Sequence, residues 1–253
     1  MKYVLPYPAG NIHPRFWGWV IGTGTVSGAF AELLSASMNT NTGGLDHHSA
    51  NHVEKQLMLW LQEIFHFPAS ASGVLTSGEG QLSGIERADS LAHGEGGSGL
   101  TGGDLPWFSD YGFQLSRGFR ALKAWMSLKE HGIRKYGRLT EQNILQARYL
   151  ADLVEAKPEL ELVQPVPLNV GCFRYIGQTR ERLEGDETRL DELNKEILIE
   201  LQEGGIAVPS GTTVRGLYYF HLAITNHRSR REDFDLLLEE VLRIGGRLQR
   251  KAP

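Results

Sequence analysis

Two short runs of hydroxyl residues and glycine, Gly22-Thr23-Gly24-Thr25 and Thr76-Ser77-Gly78, have the composition of an anion cradle. Such turns can point several backbone N–H groups and hydroxyls at one phosphate or carboxylate. Taken alone, each run also reads as an ordinary turn. Asp46-His47-His48, followed by His52, sets two imidazoles four residues apart and so on one helical face, as metal ligation requires. No H-E-x-x-H motif accompanies them, and a solvated helix start with Asp46 near the positive end of the helix dipole is the preferred reading. No metal is therefore expected. A serine nucleophile would want a G-x-S-x-G turn between strand and helix, and none is present. Gly94-Glu95-Gly96-Gly97-Ser98-Gly99 matches G-x-G-x-x-G, but no strand leads into it and no helix leaves it, so a dinucleotide site is not expected. Cys172, between Gly171 and Phe173 in an extended run, reads as a buried structural thiol.

The elements that would position these residues follow from periodicity. Asn51 to Phe67 puts Val53, Leu57, Trp60, Leu61 and Ile64 on one helical face, and Gly118 to His131 repeats the pattern. Thr140 is expected to cap a helix carrying Ile144, Ala147, Leu150, Ala151 and Val154, with Pro158 beyond its end. Extended runs follow at 160–163 and 169–176. A helix capped near Thr188 and Asp191 carries Leu193, Ile197, Leu198 and Leu201 and stops at Gly204-Gly205. Residues 216–225, rich in aromatic and β-branched side chains, read as a strand. Ser229-x-x-Glu232 has the form of a capping box before a last helix that Gly245 would end. The second half thus alternates helices with strands, as a compact α/β or α+β domain does. The glycine-dense zone from Gly73 to Gly103 offers little to a core and reads as loop. Two domains are expected, 1–117 and 118–253.

The 253 residues carry a formal net charge of -4 without a basic cluster, which argues against nucleic acid or an anionic membrane as partner. No apolar run approaches the roughly 20 residues of a membrane helix, and the N-terminal residues have no apolar stretch of the secretory kind. The single cysteine excludes an intrachain disulfide framework and fits a reducing, cytoplasmic setting.

Several stretches share one likeness. Ile12-His13-Pro14-Arg15-Phe16-Trp17-Gly18-Trp19 resembles the H-P-x-F run near the start of pyridoxal-phosphate-dependent amino-acid decarboxylases of the aromatic, histidine and glutamate type (group II). The resemblance continues through Ala31-Glu32-Leu33-Leu34, Met38-Asn39, Glu54, Leu59-Trp60-Leu61 and Gly73-Val74-Leu75-Thr76-Ser77-Gly78. Further on, Trp107 to Tyr111 and Ser116 to Trp125 resemble the end of that family's large domain, and Asn226-His227-Arg228-Ser229 resembles the final strand-to-helix turn of its small domain. The implied fold is α/β: a remnant of the aspartate-aminotransferase-like (fold type I) large domain, followed by an α+β small domain. The implied cofactor is pyridoxal 5'-phosphate and the implied partners are an amino-acid substrate and a second copy in a homodimer. The same resemblance gives Thr76, Ser77 and Gly78 a place at the cofactor phosphate and His13, Trp19, Gly22 and Thr23 a place at the substrate pocket. It also gives residues 41–45 a place in the loop that reaches the neighbouring subunit's site.

The departures bear on activity. Where the family continues Thr-Ser-Gly with a second Gly and a Ser, this chain has Glu79-Gly80, and a carboxylate repels a phosphate unless turned away. Gly84 to Ser90 resembles the strand that leads into the family's His-Lys-Trp, yet Leu91-Ala92-His93-Gly94 follows. The ring-nitrogen aspartate and the imine-forming lysine have no counterpart, so no catalytic residue is assigned. Lys55, Lys123 and Lys129 fall on amphipathic helices and read as surface lysines. The chain is accordingly expected to be an inactive, shortened decarboxylase; the alternative is a non-catalytic relic that dimerises or binds a partner.

Overall fold

The computed structural model describes residues 10–42, 49–71, 73–75, 117–177 and 187–251. Their elements in chain order are α1 (Val26–Met38), α2 (Ser49–Ile64), α3 (Ala121–His131), α4 (Ile133–Glu155), β1 (Leu160–Leu162), β2 (Val170–Tyr175), α5 (Glu187–Glu203), β3 (Ser210–Val214), β4 (Leu217–Ala223) and α6 (Arg231–Lys251). The chain divides into two compact units, one of Met1–Thr23 with Arg134–Pro253 and one of Gly24–Ile133.

In the first unit the strands form one antiparallel sheet in the order β1-β2-β4-β3. Register places Leu160 opposite Tyr175, Leu162 opposite Phe173, and Phe173 opposite Phe220. Because side chains alternate across a strand, these residues and Leu222 share one apolar face. Ala147, Leu150 and Val154 of α4, Ile197 and Leu201 of α5, and Phe234, Leu237, Leu238, Val241 and Ile244 of α6 complete its core. The opposite face carries Glu161, Cys172, Arg174, Ser210, Tyr219 and His221; there Arg174 pairs with Glu161 and Glu187, each at 2.7 Å, over the Tyr219 ring. Burial pushes the Cys172 thiol up, which suits a structural role and not a nucleophilic one.

Several boundaries differ from the sequence reading, each for an identifiable reason. Helix α4 begins at Ile133, not Thr140; the Thr140 hydroxyl donates to the Tyr136 carbonyl one turn back and so sits inside the helix. Asp191 does not cap α5, which begins at Glu187, but accepts the Tyr218 N–H at 2.8 Å. Strand β3 carries no large apolar alternation and was not expected; it is held by pairing along β4 through a tight turn at Arg215 and Gly216, with φ of 53° and 85°. Ser229 does not form the expected capping box. Instead Asp233 accepts the Arg230 N–H at 2.8 Å at the start of α6. Nor does Gly245 end α6. It lies inside the helix because the buried Tyr175 ring packs against it: an added Cβ would sit 2.9 Å from three ring atoms.

In the second unit, Ala50, Leu57, Phe119 and Ala121 form a small core between α2 and α3. The Trp60 and Trp125 rings stack at 6.2 Å, with the Lys129 ammonium over both. Beside this core lies a buried ion pair. Glu54 is fully buried, and its carboxylate receives both Nη atoms of Arg117, at 2.6 Å and 3.4 Å.

Two outcomes are expected. Gly245→Ala should lower the melting temperature, because overpacking against Tyr175 costs about 1–3 kcal/mol against a helix-propensity gain of about 1 kcal/mol; a higher melting temperature would show that the ring can yield. Glu54→Gln leaves the Arg117 charge buried without its counter-ion and should destabilise the second unit by about 3–5 kcal/mol in urea denaturation.

Candidate functional site

In the first unit the segment 13–23 is sewn to the turn between β4 and α6. The peptide at 15–17 runs beside residue 208 as one parallel rung: Trp17 N–H donates to the Val208 carbonyl and Val208 N–H to the Arg15 carbonyl, both at 2.9 Å. The Trp17 carbonyl accepts the Ala223 N–H at 2.9 Å. The Trp17 indole is fully buried, stacks on Phe234 at 4.8 Å, and donates its Nε1–H to the Ser229 hydroxyl at 3.0 Å. Ser229 donates in turn to the Pro14 carbonyl.

Around that anchor, side chains satisfy carbonyls of both the 13–23 segment and the turn. Asn226 Nδ2 donates to the His13 carbonyl at 2.7 Å, while its Oδ1 accepts the Arg228 N–H at 3.0 Å. The Thr225 hydroxyl donates to the Ile21 carbonyl at 2.9 Å. From α4, Gln142 donates to the His227 carbonyl at 3.4 Å and Gln146 to that of Ser229 at 2.6 Å. Their spacing of four residues, which puts both amides on one helix face, is the sequence signal that could have marked them.

Of the residues expected at the substrate pocket, Thr23 is buried and shares a hydrogen bond with His227 Nδ1 at 3.1 Å. His13 is exposed, its Nδ1 accepting the Arg15 N–H at 3.2 Å. Trp19 is 62% exposed and lies edge-on to Phe16 at 5.7 Å. Gly22 is exposed, and its carbonyl accepts from Asn11 Nδ2 at 3.0 Å. Thr25 is a helix cap: its hydroxyl accepts the Gly28 N–H at 3.0 Å and opens α1. Thr76, Ser77 and Gly78 lie outside the described residues, as do Asp46 to His48, Gly84 to Gly99 and Trp107 to Tyr111. Leu75, the last described residue before the Thr-Ser-Gly run, is held at both backbone groups by the buried ion pair: its N–H donates to Glu54 at 3.2 Å, and its carbonyl accepts from Arg117 at 3.0 Å.

The three lysines are surface groups. Lys55 is exposed, Lys129 lies over the tryptophan pair, and Lys123 pairs with Glu32 at 2.5 Å with both side chains more than half exposed. None of them lies in the desolvated setting that an imine-forming lysine needs.

Comparison with known proteins now adds a class. Residues 103–176 match the family model described as the pyridoxal-dependent decarboxylase conserved domain. The chain is 30% identical over 134 residues to an aromatic-L-amino-acid decarboxylase of Bacillus atrophaeus, covering 53% of this chain and 27% of that protein. It is 30% identical over 117 residues to tyrosine decarboxylase 3 of Petroselinum crispum, covering 46% and 22% respectively. The chain thus spans about a quarter of the length of these relatives. Among solved structures, Oryza sativa TDC with PLP and tryptamine matches with a TM-score of 0.51 at 23% identity, over 56% of this chain and 30% of that one. Mouse CSAD in apo form matches with a TM-score of 0.53 at 21% identity, over 60% and 33%. These likenesses are of fold alone. Over the parts matched, the chain is similar in sequence to pyridoxal-dependent decarboxylases.

His227 is held below the ordinary histidine value of 6.5 by burial first, then by the charges of Arg228 and Lys135. A lowered folded-state value means that the unfolded chain binds the proton more readily. The contribution to stability is therefore complete above pH 6.5 and is lost as pH falls below it toward the folded-state value. His221, lowered by burial, adds in the same direction. Urea midpoints measured from pH 8 downward should fall below about pH 6.5, and His227→Gln should flatten part of that fall; an unchanged profile would remove His227 from it.

Proposed function

We propose that this chain descends from a pyridoxal-phosphate-dependent amino-acid decarboxylase of the aromatic type, and that in its present form it does not catalyse decarboxylation. The relatives named as decarboxylases of aromatic amino acids support the lineage. The observation that carries the loss is the internal junction at 84–94, where the run resembling the approach to the family's lysine passes into Leu91-Ala92-His93-Gly94. In the family the cofactor withdraws electrons from the substrate while the protein holds its phosphate, ring nitrogen and imine carbon. Here the described residues do not fit that group: Lys55, Lys123 and Lys129 are surface side chains. A homodimeric assembly and a cytoplasmic setting belong to the same proposal.

Absorbance spectroscopy of the purified chain with pyridoxal phosphate, before and after borohydride, tests this. No reducible imine band, or label scattered over surface lysines, is the expected result. A band whose label maps to one lysine would overturn the loss and restore the enzyme.

A further inference from the structure

The turn between β4 and α6 opens on a cleft of about 670 Å³ lined by Gln142, His227, Arg228, Ser229, Arg230 and Asp233, with Pro14 at its edge. Its charges do not balance. The one carboxylate in the lining, Asp233, is already engaged: it accepts the Arg230 backbone N–H at 2.8 Å and faces Arg15 at 3.6 Å. Arg228 and Arg230 flank the buried Ser229, and both reach the cleft wall. Both side chains are exposed, and neither guanidinium has a hydrogen-bond or ion-pair partner among the described residues, whereas Arg15 beside the same cleft pairs with Asp233. The backbone beneath the pair is fixed by Asn226, Gln142 and Gln146, so the two side chains spring from an ordered base.

We propose that this cleft binds a small multivalent anion, a phosphate or carboxylate group gripped between Arg228 and Arg230. A guanidinium offers paired N–H donors that match two oxygens of such a group, and two guanidinium groups at one wall favour a dianion over a monoanion. His227 supports the site from beside it. Kept neutral by burial and by the neighbouring Arg228 and Lys135 charges, it adds hydrogen-bonding capacity without needing a counter-ion. The inference does not depend on the decarboxylase lineage, since every residue in it lies outside the segments assigned to cofactor chemistry.

The test titrates the full chain with inorganic phosphate and, separately, with succinate. The Ser229 amide is followed by NMR at constant ionic strength, in the wild type, in Arg228→Ser/Arg230→Ser, and in Lys157→Ser as a control that removes one exposed charge elsewhere. Saturable shifts are expected in the wild type and in Lys157→Ser. In the double variant they should weaken by about tenfold or more, as loss of a charge-assisted bidentate contact gives. Saturation by phosphate alone marks a phosphate ligand, by succinate alone a carboxylate ligand. No saturation by either, or equal affinity in the double variant, overturns the site.

Discussion

Trp17 is the residue on which the first unit depends. It comes from a segment far from the rest of that unit in sequence, yet it is fully buried, its ring lies on Phe234, and its backbone bridges residue 208 and the end of β4. Burying an indole of roughly 200 Å² at about 25 cal/mol per Å² contributes on the order of 5 kcal/mol, comparable to the net stability of a small domain. Its one polar atom would cost much of that gain if left unpaired in the core. Ser229 meets that need, and the same hydroxyl donates onward to the Pro14 carbonyl. One serine therefore satisfies the indole and fixes the turn that presents His227, Arg228 and Arg230.

The second unit rests on a different kind of interaction. Its apolar core is small, and beside it sits a desolvated Glu54–Arg117 pair. Such a pair adds little net stability, since desolvation offsets most of the Coulomb attraction. What it contributes is geometry. Arg117 also donates to the carbonyls of Thr42 and Leu75, and Glu54 accepts the Leu75 N–H, so two chain segments are tied to α2 through one guanidinium–carboxylate contact. A hydrophobic pair of equal volume could fill the space but could not bond to those backbone groups.

Helix identity was legible where one periodic face met a core. Leu57 on α2, Leu150 on α4 and Ile197 with Leu201 on α5 were all assigned to the inward side and are buried there. Caps were read less well. Ser229, Thr140 and Asp191 have the side chains of helix caps, but each hydroxyl or carboxylate bonds elsewhere. A short polar side chain accepts or donates wherever the fold brings a partner, and local sequence does not say where that is. Strand β3 was invisible for a related reason: Ser210 to Val214 is extended because β4 lies beside it. Of the candidate site, the resemblance marked the Asn226–Ser229 turn, Arg228 included, and Thr23, whereas Arg230 and the supporting glutamines were not apparent.

By itself the sequence determined the family likeness, the helical faces and the missing lysine motif, because these depend on residue identity and short spacing alone. The tertiary structure decided that residues 13–23 join the C-terminal unit, that Gly245 meets the Tyr175 ring, and that Thr23 meets His227. Each of these is a contact between residues tens to hundreds of positions apart. Such contacts form only when the whole core closes, and no local pattern of side chains encodes which distant surface will be there to receive them.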